Sequence, residues 1–422
     1  MSDTALSSTG TPGTVATPTG PLAALSVPYY PRMWGAGGLW NITRWMTIFL
    51  GSYLVNRLTG SPLLVQLVGT CFFLPMFVGG LVAGTVSDRF DRRRTVLRQL
   101  VALIPFAALM SVLVATGQIR TWMMYVFAIA VGVGQVVDMT NRRALVHDIV
   151  GDRLFGNAMA LEALSMAAGN MLGSLTGGTV IGLLGESSAY GLVAGFYLVI
   201  FLLMRSVPAV ARRDQAAAGA TGGMAQLRRD LGEATRALPG NRPFVSLLGV
   251  TFAMNFLFFS FMPMVPVLAK QFDVGPVLTG VLASGLGLGM LIGSALMVII
   301  DPPRRGLIYV IGSFGGMICL IVFALLDVFV IALAALVLTG IFSAGFSTVQ
   351  AALVIAISPP EMRGRSMGLL SMAIGALPFG MVLLGALAEQ IGSHTAVVAS
   401  AGTGIVVLGA WLVRHPEVTR IP

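Results

Sequence analysis

Charge is scarce in this chain. Only 10% of its 422 residues are Asp, Glu, Lys or Arg while 56% are hydrophobic, against roughly a quarter charged in soluble domains. So little charge excludes a water-facing globule, and a mean hydropathy of +0.88 points to an integral membrane protein. Cysteine is nearly missing too. Cys71 and Cys319 both fall in apolar stretches, so they read as small packing residues and not as a disulfide or metal pair. The three histidines, His147, His394 and His415, form no His-Glu-x-x-His pattern, and no metal site or cofactor is expected. Residues 1–28 hold no Lys or Arg and no apolar core but much Ser, Thr, Gly and Pro. That composition reads as a disordered tail and not as a signal peptide. With no intramembrane Ser/His or His/Glu constellation and no sizeable soluble domain, a membrane enzyme or a signalling receptor is the least favoured reading, and the chain is not expected to be an enzyme.

What is present is a series of apolar runs. They lie near 35–56, 63–86, 96–116, 121–142, 157–184, 189–209, 244–269, 276–300, 306–326, 328–357, 366–390 and 394–413, each close to the roughly 20 residues that cross a bilayer as a helix. The fold class is therefore all-α and integral to the membrane, with twelve transmembrane helices. Residues 1–31 form a cytoplasmic tail, 32–209 and 244–414 two six-helix bundles, 210–243 a cytoplasmic linker and 415–422 a second tail. Within the linker, LRRDLGEATRAL has the make-up of a short amphipathic surface helix.

Positive charge sorts by side. With twelve spans, 22 Lys and Arg fall on the side of the termini, three on the other side and one, Arg44, inside a span. This bias places both termini in the cytoplasm and the chain in the inner membrane. The net charge of +9 is then mostly topological, and nucleic-acid binding is not expected. The chain also repeats internally. A shift of 208 residues sets Ala144-Leu145-Val146 on Ala352-Leu353-Val354, Gly156 on Gly364 and Gly177 on Gly385, and a shift of 213 sets Gly80 on Gly293, Asp88 on Asp301 and Arg92 on Arg305. The two bundles thus look like copies of one unit, the plan of a transporter whose site lies between its halves.

Five arginines crowd into SDRFDRRRTVLR, residues 87–98. GTVSDRFDRRR, Gly84 to Arg94, resembles the loop signature G-x-x-x-D-R-x-x-R-R of the major facilitator superfamily, in particular its bacterial efflux branch. ALVHDIVGDRLFGNAMAL at 144–161 and SPPEMRGRSMGLL at 358–370 resemble the matching loops after the fourth and tenth spans. The resemblance implies the major facilitator fold and a conformational latch of Gly84, Asp88, Arg89, Arg92, Arg93 and Asp148. In it Asp88 would cap the eleventh span near Ser366, Arg92 would pair with Asp148, and Gly84 would let two helices approach. The plainer alternative is that the arginines only hold the loop in the cytoplasm. GNMLGSLTGG in the fifth span is similar to the exporter pattern G-x-x-x-G-P-x-x-G-G, with Ser174 in place of the proline. Gly169, Gly173, Gly177 and Gly178 then offer a packing stripe, which ordinary close helix packing would also explain.

Ionisable groups in a bilayer are costly, so those present tend to face a cavity and act. Asp138 and Glu162 are the candidate proton carriers and Arg44 their counter-charge. For Asp138 the alternative is a structural pair with Arg142 at i, i+4; for Glu162 an interfacial cap; for Arg44 an ion pair that only orders helices. Asn41, Trp45 and Gln135 border these groups. Because the first, fourth, seventh and tenth spans line the cavity in the family, Asn255, Phe258, Phe259 and Gln350 are nominated beside them, to accept a lipophilic and partly polar molecule, although Phe at such positions also serves packing. The expected activity is proton-gradient-driven export of small amphiphilic compounds of drug or siderophore type by a monomer embedded in the lipid bilayer. A metabolite importer or facilitator of the same fold is the alternative.

Overall fold

A computed structural model describes residues 20, 22–86, 91–208, 241–300, 303–359 and 362–421, with the backbone alone at 80–86. Inside a bilayer each apolar run must satisfy its own amides, and a helix does this within one segment. The first three are α1 (Tyr30–Thr59), α2 (Pro62–Val86) and α3 (Arg92–Ala115). From Thr121 to Arg205 the chain is helical except at Gly151 (φ 69°) and Gly185 (φ 84°). Both glycines hold a left-handed φ that side chains resist, and each turns the chain back in a single residue, giving α4 (121–150), α5 (152–184) and α6 (186–205). The second unit comprises α7 (Arg242–Phe272), α8 (Pro276–Ile300), α9 (Arg305–Leu325), α10 (Phe329–Ile357), α11 (Arg363–Ile391) and α12 (Ser393–Arg414). Twelve helices, and no strand, are thus found among the described residues.

Two helices are irregular where proline removes a backbone donor. α7 is regular to Ala253, widens at Met254–Phe258, then tightens to a 3-10 helix over Phe259–Met264 that contains Pro263. α11 breaks between Ile374 and Leu377, just before Pro378. α7 starts at Asn-Arg-Pro: the Asn241 side chain accepts from Phe244 N–H at 3.2 Å, and Pro243 occupies the first turn, where no amide partner is missed. The proposed surface helix of the linker lies outside the described residues.

The termini are less free than their composition suggests. The N-terminal tail was expected to run to residue 31, yet Ala23–Ser26 forms a 3-10 turn with Ala24 fully buried. Its N–H donates to Asn157 Oδ1 at 2.9 Å, and the Tyr30 hydroxyl donates to the Ala158 carbonyl at 3.1 Å. The short apolar Leu-Ala-Ala-Leu is enough to dock. At the other end Pro416–Arg420 is a 3-10 turn with Val418 buried, and Gly306 N–H donates to the Ile421 carbonyl at 3.1 Å. Both segments therefore belong to their bundles and not to tails.

The bundles meet through α5 and α8, α2 and α11, and α1 and α7. A Cβ on Gly178 would stand 2.6 Å from Gly280 Cα, and one on Gly287 would stand 2.4 Å from Met171 N, so glycine sets how closely α5 and α8 approach. Hydrogen bonds between the bundles gather toward the end that holds the α1–α2 turn. Asn56 Nδ2 donates to the Pro266 carbonyl at 3.0 Å and Gln66 Nε2 to the Ser260 carbonyl at 2.9 Å. Glu389 of α11 accepts from the Ser61 hydroxyl and from Leu63 N–H. The halves are clasped at that end.

Candidate functional site

Three charged side chains converge inside the first bundle. Asp138 and Arg142 stand one turn apart on α4 and so share a face. Arg142 Nε lies 3.0 and 3.1 Å from the two Asp138 oxygens. Its Nη1 lies 2.6 Å from each Glu162 oxygen, which α5 brings back beside α4 after the turn at Gly151. The three side chains are only 4 to 11% exposed. The guanidinium rests on α1, because a Cβ on Gly37 would fall 2.2 Å from Arg142 Nη1. Both candidate carboxylates thus share one cation. The pairing of Asp138 with Arg142 is present, and Glu162 is an inward partner of the same arginine and not an interfacial cap. Arg142 was weighed only as the structural mate of Asp138. That spacing was readable, but its junction with Glu162 depends on how sharply the chain turns at Gly151, which the loop read between the fourth and fifth spans did not give.

Arg44 is a second buried cation on α1, 8% exposed, with Cζ 5.1 Å from the Trp45 ring centroid. Its Nε and the Trp45 Nε1 are buried without a hydrogen-bond partner. Asp138 is near enough to act on Arg44 through the Coulomb field, but its oxygens are taken by Arg142, so the ion-pair alternative for Arg44 is not formed. Asn41, 5% exposed, is packed where α5 passes closest, its Cβ 2.6 Å from a Cβ placed on Gly169. Gln135 is turned inward: its Oε1 accepts from Trp40 Nε1 at 2.8 Å, so it joins α4 to α1 and does not line a cavity.

In the second bundle, Thr251 Oγ1 and the Tyr309 hydroxyl are 2.7 Å apart. Gln350 Nε2 donates to that Thr251 oxygen at 3.1 Å, and Asn255 Nδ2 donates to the Thr251 carbonyl at 2.9 Å. Asn255 and Gln350 are thus held by a neutral network built on Thr251 and Tyr309, neither of which stood out in the sequence. Phe258 is fully buried, lying 3.2 Å from a Cβ placed on Gly316 of α9. It is core and not cavity wall, because the widened turn at 254–258 rotates it into the bundle. Phe259 is partly buried and packs on Phe346, ring centroids 5.7 Å apart. Between the bundles lies a narrow cleft, whose walls include Trp45 and Ser52 of α1, Asn170 and Ser174 of α5, Pro266 of α7 and Leu286 of α8.

The glycine stripe of α5 divides its labour. Gly169, Gly173 and Gly177 meet Asn41, Ile42 and Phe49 of α1, whereas Gly178 meets Gly280 across the bundle interface. The helix passes through Ser174 with no backbone break. In the arginine loop, Arg92 Nη1 is 2.7 Å from Asp148 Oδ2. Arg93 turns elsewhere, donating to the carbonyls of Met204 at 3.4 Å and Arg205 at 2.7 Å, so it caps the C-terminus of α6, where its charge suits the helix dipole. Arg94 N–H is held by Asp91 Oδ1 at 2.8 Å, which starts α3. Asp88, Arg89 and the surroundings of Gly84 lie outside the described residues.

Known proteins resemble this arrangement. Residues 19–420 match the family model described as transmembrane secretion effector. The chain is 24% identical over 372 residues to an enterobactin exporter, EntS, of Shigella boydii serotype 4, covering 85% of this chain and 84% of that protein. It is 25% identical over the same length and shares to the enterobactin exporter of Citrobacter koseri. Among solved structures, a bacterial homologue of the human lysosomal transporter Spinster, inward-facing and unoccupied, superposes with a TM-score of 0.72 at 14% identity, covering 93% of this chain and 98% of that one. A D-xylose–proton symporter gives 0.72 at 14% identity, with 92% and 99% covered. These two likenesses establish the fold.

Proposed function

The chain belongs to the transmembrane secretion effector family, which makes it a secondary transporter of the major facilitator fold, and from that premise we propose that it exports small amphiphilic compounds of drug or siderophore type in exchange for protons. The observation that carries this reading is the buried Asp138–Arg142–Glu162 triad. One guanidinium bound by two carboxylates is a device for moving a proton: when Arg142 swings wholly to one carboxylate, the other is left as an unpaired buried anion and takes up a proton. Movement of α4 against α5 as the bundles rock would alternate the two. The second bundle has no Asp, Glu, Lys, Arg or His within the central stretches of its spans, so we assign coupling to the first and cargo to the neutral Thr251 network. The enterobactin exporters among the relatives support the siderophore side of this class.

Positive-inside charge orients the molecule in the cytoplasmic membrane, with both termini inside and the clasped α1–α2 end outward. In that orientation the conformer is closed to the outside, and on this reading the transporter works as a monomer, one chain supplying both bundles. The Arg92–Asp148 pair is already made in this conformer, within the first bundle between α3 and α4; we place it at the opposite, cytoplasmic end, where it would hold the loop of Gly84, Asp88 and Arg89 ready to latch the halves when the transporter opens outward. Arg92→Ala should raise the labelling of a cysteine placed on the inner ends of α5 or α8 in the outward-open state, and Arg94→Ala should not; equal effects would remove the distinction. One feature favours import or facilitation instead, the unbroken passage of α5 through Ser174. Direction decides between them. In inside-out vesicles with an acid lumen, cargo uptake should fall to the passive level when the gradient is collapsed, and uptake unchanged by collapse would contradict proton coupling.

A further inference from the structure

Arg44 and Trp45 are donors only, since neither guanidinium nor indole N–H accepts a hydrogen bond. Arg44 Nε and Trp45 Nε1 are both buried and unbonded, and so is the Ser52 hydroxyl two turns further along the same helix. Trp45, Ile48 and Ser52 form the α1 wall of the space between the bundles, and Arg44 stands one turn from Ile48 on nearly the same face. The contact of Arg44 with the Trp45 ring offsets part of the cost of a buried cation, on the order of 0.5 to 2 kcal/mol, without engaging the N–H. Asp138 and Glu162 are occupied by Arg142. Trp45 lines a cleft of the kind in which alternating-access carriers hold their substrates, and Arg44 lies beside it on α1, so both donors are placed to meet acceptors that a substrate brings.

We propose that this cleft, with Arg44 and Trp45 as its donors, is a binding subsite for an aromatic group that carries oxygen acceptors and no positive charge. Aromatic and apolar walls from Trp45, Phe49, Met262 and Pro263 take the ring, and the donors take phenolic, carbonyl or carboxylate oxygen. A cationic amphiphile of the same shape is disfavoured, because it sets a second desolvated positive charge beside Arg44. The inference rests on the transport reading but names its cargo class, which excludes lipophilic cations.

Two dyes that share a xanthene ring and differ in charge test it, fluorescein as the oxyanion and rhodamine 6G as the cation. Binding to the purified full chain in nanodiscs, followed by fluorescence polarisation with no gradient present, should favour fluorescein by about tenfold or more, the scale of one charged hydrogen bond. Arg44→Gln should erase that preference, and Trp45→Phe should weaken fluorescein severalfold while keeping the sign. Equal or tighter rhodamine 6G binding by the unaltered protein overturns the proposal, as does a folded Arg44→Gln variant that keeps the preference. The unaltered protein decides the first point even where a variant fails to fold. Since binding needs no gradient, failure here is distinct from failure of export: gradient-driven transport of lipophilic cations would leave the exporter and remove this subsite.

Discussion

Arg142→Met is expected to be the most damaging single replacement in the membrane interior, costing about 3 to 5 kcal/mol, as breaking a buried charge pair does. The cation neutralises two carboxylates at 2.6 to 3.1 Å, and its loss strands both with only the more distant fields of Arg44 and Arg143 to offset their charge. Purified Arg142→Met protein should unfold at a markedly lower temperature and transport nothing. Combining it with Asp138→Asn and Glu162→Gln should restore most of the thermal stability, because neutral polar groups cost far less to bury than lone charges, while leaving transport dead. If Arg142→Met alone unfolds like the unaltered protein, the triad is not the tight charge network described.

Asp138→Asn should separate binding from coupling. The amide keeps the size of the carboxylate but takes up no proton, and Arg142 remains neutralised by Glu162, so the fold has no reason to fail. Gradient-driven uptake should drop at least tenfold, as expected when an intramembrane proton site is removed, while equilibrium binding of cargo changes about threefold or less. Glu162→Gln run beside it assigns the proton: the variant with the deeper loss of uptake has lost the carrier. Normal uptake in both would return the triad to a purely structural role, the brace of α4 on α5 and α1.

The helical runs were legible because the bilayer demands long apolar stretches, a constraint that acts on sequence directly. The breaks near Gly151 and Gly185 were read as gaps between spans, but not their one-residue sharpness, because the polar residues around Gly151 belong to the helices themselves. For the same reason the meeting of Glu162 with Arg142 was out of reach: residues 20 apart touch only because Gly151 folds α5 onto α4. Gln135 and Phe258 show a second limit. Each has the composition of a cavity residue, but which way a side chain faces depends on helix rotation, and at Phe258 the rotation is altered by the widened turn before Pro263. Arg93 was grouped with the latch by its motif, whereas proximity of the C-terminus of α6 claims it for capping. The closeness of Gly178 to Gly280 follows from two bundles packing face to face, a fact of tertiary assembly that the spacing of four glycines only permitted.

Cargo-driven proton flux tests the central claim most directly. Inside-out vesicles holding the reconstituted protein are given an acid lumen reported by a pH-sensitive dye, and cargo is then added to the outside. Proton-coupled export through the triad should make the lumen lose protons on cargo addition, faster than in protein-free vesicles, and the loss should vanish with Asp138→Asn or Glu162→Gln. Cargo uptake that proceeds with the lumenal pH unmoved would contradict it.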